Sequence, residues 1–246
     1  MKATTHPVFL HVQDDLNAFV LGLTGKTSAA GGNSWNISQE GCWDPASGTA
    51  PDDEAYIAAQ IQNVLDRGFP VDPKRIWIWG RSCGGGMAFR YACDHPSQIA
   101  AAVQLNLFGI RTDLDPACVA GHFHFLAIHG TSDTILYDNN VAGNLAPSTV
   151  EYVSVEVDRA SPTRTSTMTQ AATQNGCSGS LSAATTGVLD FDSLVAGNEM
   201  DTKTWGGCPS DGAVELWKLN GTAHVPTITV AGYNAMLAWL VAHPKP

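Results

Sequence analysis

The chain has 246 residues, 44% of them hydrophobic, and 13 Lys and Arg against 23 Asp and Glu give a formal net charge of -10. That length suits one large core or two small ones, and the acidic balance argues against nucleic acid and anionic membranes, which recruit basic patches. No apolar run reaches the roughly 18 residues that a membrane-spanning helix requires.

The opening MKATTHPVFLHVQDD contains no apolar signal core, so a secreted form would have lost its signal from this chain. HPVFLHV (His6–Val12) and NAFVLGLTG read as short apolar strands separated by the polar QDDL. A long loop rich in Gly, Ser and Asn follows; Trp35 and Trp43 within it favour an ordered, functional loop. In PDDEAYIAAQIQNVLDRGF, Ile57, Ile61, Val64 and Leu65 share one helical face, and Asp52, Asp53 and Glu54 occupy the first turn, where the helix dipole favours acids. RIWIWG reads as a strand, and GGGMAFRYACDHP as a helix ending before Pro96. IAAAVQLNLFG and HFHFLAIHG read as strands; from Asp138 to Gln174 the pattern weakens. AVELWKLNG is a further strand, and VAGYNAMLAWLVAHP a closing helix with Met236, Leu237 and Leu240 on one side. Alternating strands and helices predict an α/β fold, a mostly parallel sheet with helices on both faces, in one domain over residues 1–246 with no repeat and no linker.

Gly80-Arg81-Ser82-Cys83-Gly84 fits G-x-S-x-G between a strand and a helix, the setting of a nucleophile elbow. Such a turn holds its serine in a strained backbone, with glycines letting strand and helix approach and the helix N-terminus favouring developing negative charge. The competing reading is a Gly-rich turn that binds phosphate or merely turns the chain, but no Lys follows the glycines as in a P-loop. A serine nucleophile needs a base and an acid to orient it, in the chain order Ser, acid, His. Asp133 follows the strand in FLAIHGTSDTILY, and His224 follows the strand in VELWKLNGTAHVP. Both lie past the C-terminal ends of strands, where open α/β sheets place their sites. Competing acids are Asp113, Asp115 and Asp138. Among competing histidines, His122 and His124 precede or lie within a strand, His129 shapes the acid loop, and His95 caps a helix end. The backbone N–H of Cys83 is the expected oxyanion donor, and Trp43, Tyr137 and Trp205 are candidates for the substrate surface, with plain packing as the alternative for each.

Six cysteines, at positions 42, 83, 93, 118, 177 and 208, have no zinc spacing; an even, widely spaced set favours disulfides and an oxidising compartment over buried thiols. Cys93 ends the elbow helix and Cys118 follows the next strand, which suggests that they pair.

VDPKRIWIWGRSCGGGMAFRYAC, AIHGTSDTILY and NGTAHVP resemble the polyhydroxybutyrate depolymerase and feruloyl esterase group of secreted α/β-hydrolases, with Asp52 and Asp53 matching the group's acidic helix start. The resemblance runs roughly from Trp43 to the C-terminus. It implies an α/β-hydrolase fold, with Ser82 as nucleophile, Asp133 as acid, His224 as base and no metal or organic cofactor. QNGCSG and WGGCPSDGAVELWKL resemble the group's paired cysteines, which implies a Cys177–Cys208 disulfide and leaves Cys42 to Cys83. The expected substrates are feruloyl-type esters or polyesters, either polyhydroxyalkanoate or aromatic; the rival is a non-catalytic or weakly active binding protein for cell-wall or polymer surfaces.

The group's front strands are reduced or rebuilt here. The strand that supplies its second oxyanion amide has no clear counterpart, and QDDLN is too short for a parallel crossover. The expectation is that Phe19–Leu23 fills the slot beside Arg75–Trp79, running parallel to it, with His6–Val12 outside; the alternative is a second subunit or a lost segment supplying the strand. A backbone N–H near Thr24 or Gly25 would then be the second donor.

Overall fold

The computed structural model describes residues 16–29, 31–37, 42–43, 45–106, 117–133 and 167–246. The central sheet is built from β3 (Trp77–Arg81), β4 (Ala101–Leu105), β5 (His124–Gly130), β6 (Thr185–Leu189), β7 (Met200–Thr204) and β8 (Val214–Leu219), in the spatial order β3-β4-β5-β8-β7-β6. The first four of these neighbours run parallel, and β7 and β6 continue the sheet antiparallel. A small hairpin, β1 (Lys26–Thr27) with β2 (Asn33–Ser34), lies in the loop ahead of helix α1 (Asp53–Asp66). The other helices are α2 (Cys83–Asp94), α3 (Thr167–Gln174) and α4 (Val230–Ala242).

Alternation along each central strand divides the core into two layers. Ala102, Phe125, Ala127, Val214 and Leu216 point to the face covered by Ile57 of α1, Met87 and Phe89 of α2 and Met168 of α3. Val103, Leu105, Leu126, Ile128, Trp217 and Leu219 point to the other face, where α4 supplies Tyr233, Met236 and Leu240. The α/β architecture with helices on both faces is therefore as the sequence leads one to expect. Phe89 anchors the elbow helix edge-on against Phe125, with ring centroids 5.0 Å apart. Asp52 caps α1 through Ala55 N–H at 2.9 Å. Buried Asp53 accepts from Asn36 N–H at 2.7 Å and so ties the preceding loop to the helix; burial raises the pKa of this carboxyl, against the opposing hydrogen bond from Asn36.

Two expectations fail. Phe19–Leu23 is not a strand, and among the described residues β3 has no strand on its outer side. Phe19, Val20 and Leu21 are exposed, Phe19 meets Phe69 in a tilted contact with ring centroids 4.4 Å apart, and Leu23 packs against the core, as does Trp35. The slot was expected to be filled because a buried edge would orphan backbone groups. β3 is only half-buried, so the pressure to cover its outer edge is weaker than on a buried strand. The second failure is an omission: β6 and β7 were not foreseen. β6 (TTGVL) is almost wholly exposed and β7 (MDTKT) is largely polar, so neither carries the apolar run of the central strands. His6–Val12 lies outside the described residues.

Candidate active site

The register of the parallel strands brings four chain ends to one edge of the sheet. Arg81 lies opposite Leu105, Leu105 opposite Ile128, and Gly130 opposite Leu219. Ser82, Asp133 and His224 each follow one of these ends, where open parallel sheets form their sites.

Ser82 links β3 to α2 with φ 51° and ψ -131°, a backbone conformation costly for a residue with a side chain. Its surroundings hold it there. Its N–H donates to Leu105 O at 2.8 Å, and its carbonyl accepts from Gly85 N–H at 2.7 Å and Gly86 N–H at 3.1 Å. Two glycines make the crossing possible. A Cβ on Gly80 would lie 2.2 Å from Gly84 O, and one on Gly85 would lie 2.9 Å from Gly80 O. Gly84, the last glycine of the motif, is under less pressure: a Cβ there would meet only the Trp35 indole nitrogen, at 3.9 Å.

Asp133 is fully buried, and its Oδ2 accepts from two imidazoles, His224 Nδ1–H at 2.7 Å and His129 Nε2–H at 3.1 Å. Burial alone would raise its pKa, but the two hydrogen bonds and the facing rings outweigh burial and hold the carboxyl well below the usual carboxylate range. His129 is buried too, and burial lowers its pKa despite its bond to Asp133. With Nδ1–H turned to the carboxylate, His224 is the tautomer whose Nε2 is a bare base. The acid and base segments are laced together: Thr131 N–H donates to Leu219 O at 2.9 Å, Ser132 N–H to Thr222 O at 2.9 Å, and Gly221 N–H to Thr131 Oγ1 at 2.7 Å.

Three disulfides join Cys42 to Cys83, Cys93 to Cys118 and Cys177 to Cys208. The first fastens the loop to the residue after Ser82. Trp43 follows it, half-buried, its indole donating to Gly48 O at 3.3 Å, with Lys26 Nζ 5.4 Å over its ring. Trp35, which the sequence offered only as a sign of an ordered loop, reaches the elbow as well. Its indole lies against Gly84 on one side and within 3.1 Å of a Cβ built on buried Gly25 on another, and it stacks on Tyr56. The Thr24–Gly25 segment therefore reaches the elbow's surroundings by way of Trp35, not as a strand.

Trp205 is not at this edge. Its N–H donates to Val214 O at 2.8 Å, at the start of β8, whereas His224 follows the end of that strand. Its indole donates to Gly179 O at 3.0 Å, so it belongs to the opposite end of the sheet, and its place among the substrate-contacting candidates is corrected accordingly. Among the other histidines, His122 pairs with Asp211 at 3.0 Å, His124 sits at the start of β5, and His95 caps α2 facing Glu54 at 3.5 Å. Tyr137, Asp113, Asp115 and Asp138 lie outside the described residues.

No protein-family model and no curated protein matches the chain. Among solved structures, an acetyl xylan esterase from Aspergillus awamori is similar, with a TM-score of 0.51 and 14% identity over 86% of this chain and 74% of its own. At that identity the likeness speaks for the fold.

Proposed function

We propose that the chain is a serine carboxylic ester hydrolase, a secreted single catalytic domain acting on feruloyl-type esters or polyesters. The observation that carries the reading is the 2.7 Å bond from His224 to a buried Asp133 carboxylate, on the same sheet edge as a serine in a strained strand-to-helix turn. The solved structure of similar fold is named an acetyl xylan esterase, which agrees with ester chemistry. Three disulfides suit an oxidising compartment, and among the described residues no helix is long and apolar enough to cross a membrane.

In this reading Ser82 Oγ attacks the ester carbonyl as His224 Nε2 takes its proton, and Asp133 keeps the ring in the right tautomer and stabilises the imidazolium. The oxyanion faces Cys83 N–H at the start of α2. The imidazolium returns its proton to the departing alkoxide, and water then releases the acid by the same steps in reverse roles. Trp43 offers an aromatic wall for the acyl group or polymer chain, and Tyr137 remains a second candidate from the sequence.

A panel of chromogenic short-chain ester, methyl ferulate, polyhydroxybutyrate film and an aromatic polyester tests the reading, together with fluorophosphonate labelling. Turnover of the short ester with labelling at Ser82 alone is expected. A folded protein that neither turns over any of these esters nor reacts at Ser82 overturns the proposal.

A further inference from the structure

Strand β4 runs directly into Asn106, a residue with φ 52° and no solvent exposure. Left-handed backbone is uncommon outside glycine, and asparagine is one of the few side chains that adopts it readily. Its carboxamide is engaged with backbone from both the acid and the base segments. Oδ1 accepts from Gly130 N–H at 3.0 Å, where β5 ends ahead of Asp133. Nδ2 donates to the carbonyl of His224 itself at 2.7 Å and to that of Ala223 at 3.3 Å. The Asn106 N–H donates to Ile128 O at 2.9 Å, and the preceding carbonyl, Leu105 O, is the one that receives Ser82 N–H. Two consecutive residues thus touch the elbow, the acid segment and the base loop.

The chemistry of the position calls for a carboxamide: two donors toward carbonyls and one acceptor toward an N–H. Aspartate has the same shape but would set a carboxylate against two carbonyl oxygens. An aliphatic residue would leave buried backbone groups unpaired. The Asp133–His224 bond fixes one ring atom but not the backbone of His224. Holding the carbonyl of the same residue fixes the backbone from which the ring hangs.

We infer that Asn106 is a positioning residue for this hydrolysis, setting where the His224 imidazole stands relative to Ser82 and Asp133. The inference rests on the serine-hydrolase reading above. The molecule supplies its own control at the other end of the sheet. Asn175, equally buried, accepts from Phe123 N–H at 3.1 Å and donates to Phe123 O at 2.7 Å and Gly212 O at 3.0 Å. It braces backbone in the same way with no catalytic candidate attached.

The experiment compares Asn106→Gly, which tolerates the left-handed backbone and removes the whole side chain, carboxamide included, with Asn106→Asp and with Asn175→Ala. Kinetics use the chromogenic short-chain ester, with near-UV circular dichroism and Tm measured on each protein. A misplaced catalytic group costs about 10²-fold. Both Asn106 variants are therefore expected to lose about 10- to 100-fold in kcat with KM within about twofold, while Asn175→Ala keeps kcat within about twofold even with an equal or larger fall in Tm. An unchanged kcat in Asn106→Gly overturns the inference, and so does an equal kcat loss in Asn175→Ala. Failure of both Asn106 variants to fold also overturns it, because the residue is then a folding element. An inactive wild type that does not react with fluorophosphonate at Ser82 overturns the hydrolase reading itself, and the inference falls with it.

Discussion

β5 carries a buried histidine near each end. At its start, His124 uses both ring nitrogens on backbone: Nδ1 accepts from Ala213 N–H at 3.1 Å and Nε2–H donates to Pro244 O at 3.3 Å. Near its other end, His129 donates to the Asp133 carboxylate, which also holds His224. The two sites have similar burial and the same strand, and differ in whether a carboxylate faces the ring. A ring bonded to an amide and a carbonyl, with the Asp211 carboxylate too weak an influence to offset burial and His243, serves as a neutral brace. A carboxylate lets an imidazole of the set accept a proton and hand it on. The strand direction decides which end receives the carboxylate-bearing turn, because loops leaving the C-terminal ends of parallel strands converge there.

The largest expected contrast is catalytic. Ser82→Ala, Asp133→Ala and His224→Ala should each lower kcat by about 10⁴-fold or more, since such groups act as a unit. His124→Gln should leave kcat near the wild-type value and lower only Tm. Ester turnover measured beside far-UV circular dichroism checks both, and near wild-type activity in Ser82→Ala would break the distinction between the two ends.

The disulfides sharpen it. Removing either Cys42–Cys83 or Cys177–Cys208 by paired Ser substitution should cost about 2–4 kcal/mol in denaturant unfolding. Only the first lies beside the nucleophile, so only that double variant should also lose kcat at temperatures where both remain folded. Equal kcat in the two double variants would detach the Trp43 loop from the chemistry.

A pH series separates the ends by stability. Burial first, and then the neighbouring His243, pushes the His124 pKa down from 6.5 to about 4. Over that window the unfolded chain binds a proton that the fold does not, so stability rises with pH and is lost as pH falls through it. At about 1.4 kcal/mol per pKa unit, the contribution is on the order of 3–4 kcal/mol at most. His129, lowered by its own burial, adds in the same direction. The depressed Asp133 acts in the same sense but only below about pH 4, the unfolded carboxyl value. Tm of His124→Gln should therefore fall less steeply than wild type between about pH 6.5 and 4. Parallel curves would mean that His124 takes up its proton at the same pH in the fold as in the unfolded chain.

The sequence made the elbow legible because its physics is local: an apolar strand, then glycines where backbones cross, then a helix. It pointed to Asp133 and His224 because each follows a strong strand, and the fold brings the two into hydrogen-bond contact. Asn106 was not legible, since its role depends on partners 24 and 118 residues away in the chain. β6 and β7 were hidden by their polarity, and Trp205 was misplaced because nothing local tells which end of an antiparallel strand its turn will occupy.

The smallest effect concerns the two tryptophans first grouped together. Trp43 is carried on the tether to Cys83, while Trp205 is fixed to Gly179 at the far end. An aromatic contact contributes about 0.5–1.5 kcal/mol beyond the area that it buries. Trp43→Ala should therefore raise KM for methyl ferulate about 3- to 10-fold while leaving KM for a short aliphatic ester nearly unchanged. Trp205→Ala should alter neither and lower Tm instead. Lys26→Ala, which removes the cation over the Trp43 ring, should give a weaker version of the same KM rise, because an exposed cation–π contact is worth about 0.5–1 kcal/mol. A KM rise in Trp205→Ala equal to that in Trp43→Ala would mean that substrate reaches both ends of the sheet. Unchanged KM in Trp43→Ala would shift the aromatic wall to Trp35, whose indole lies against Gly84, two residues beyond the nucleophile.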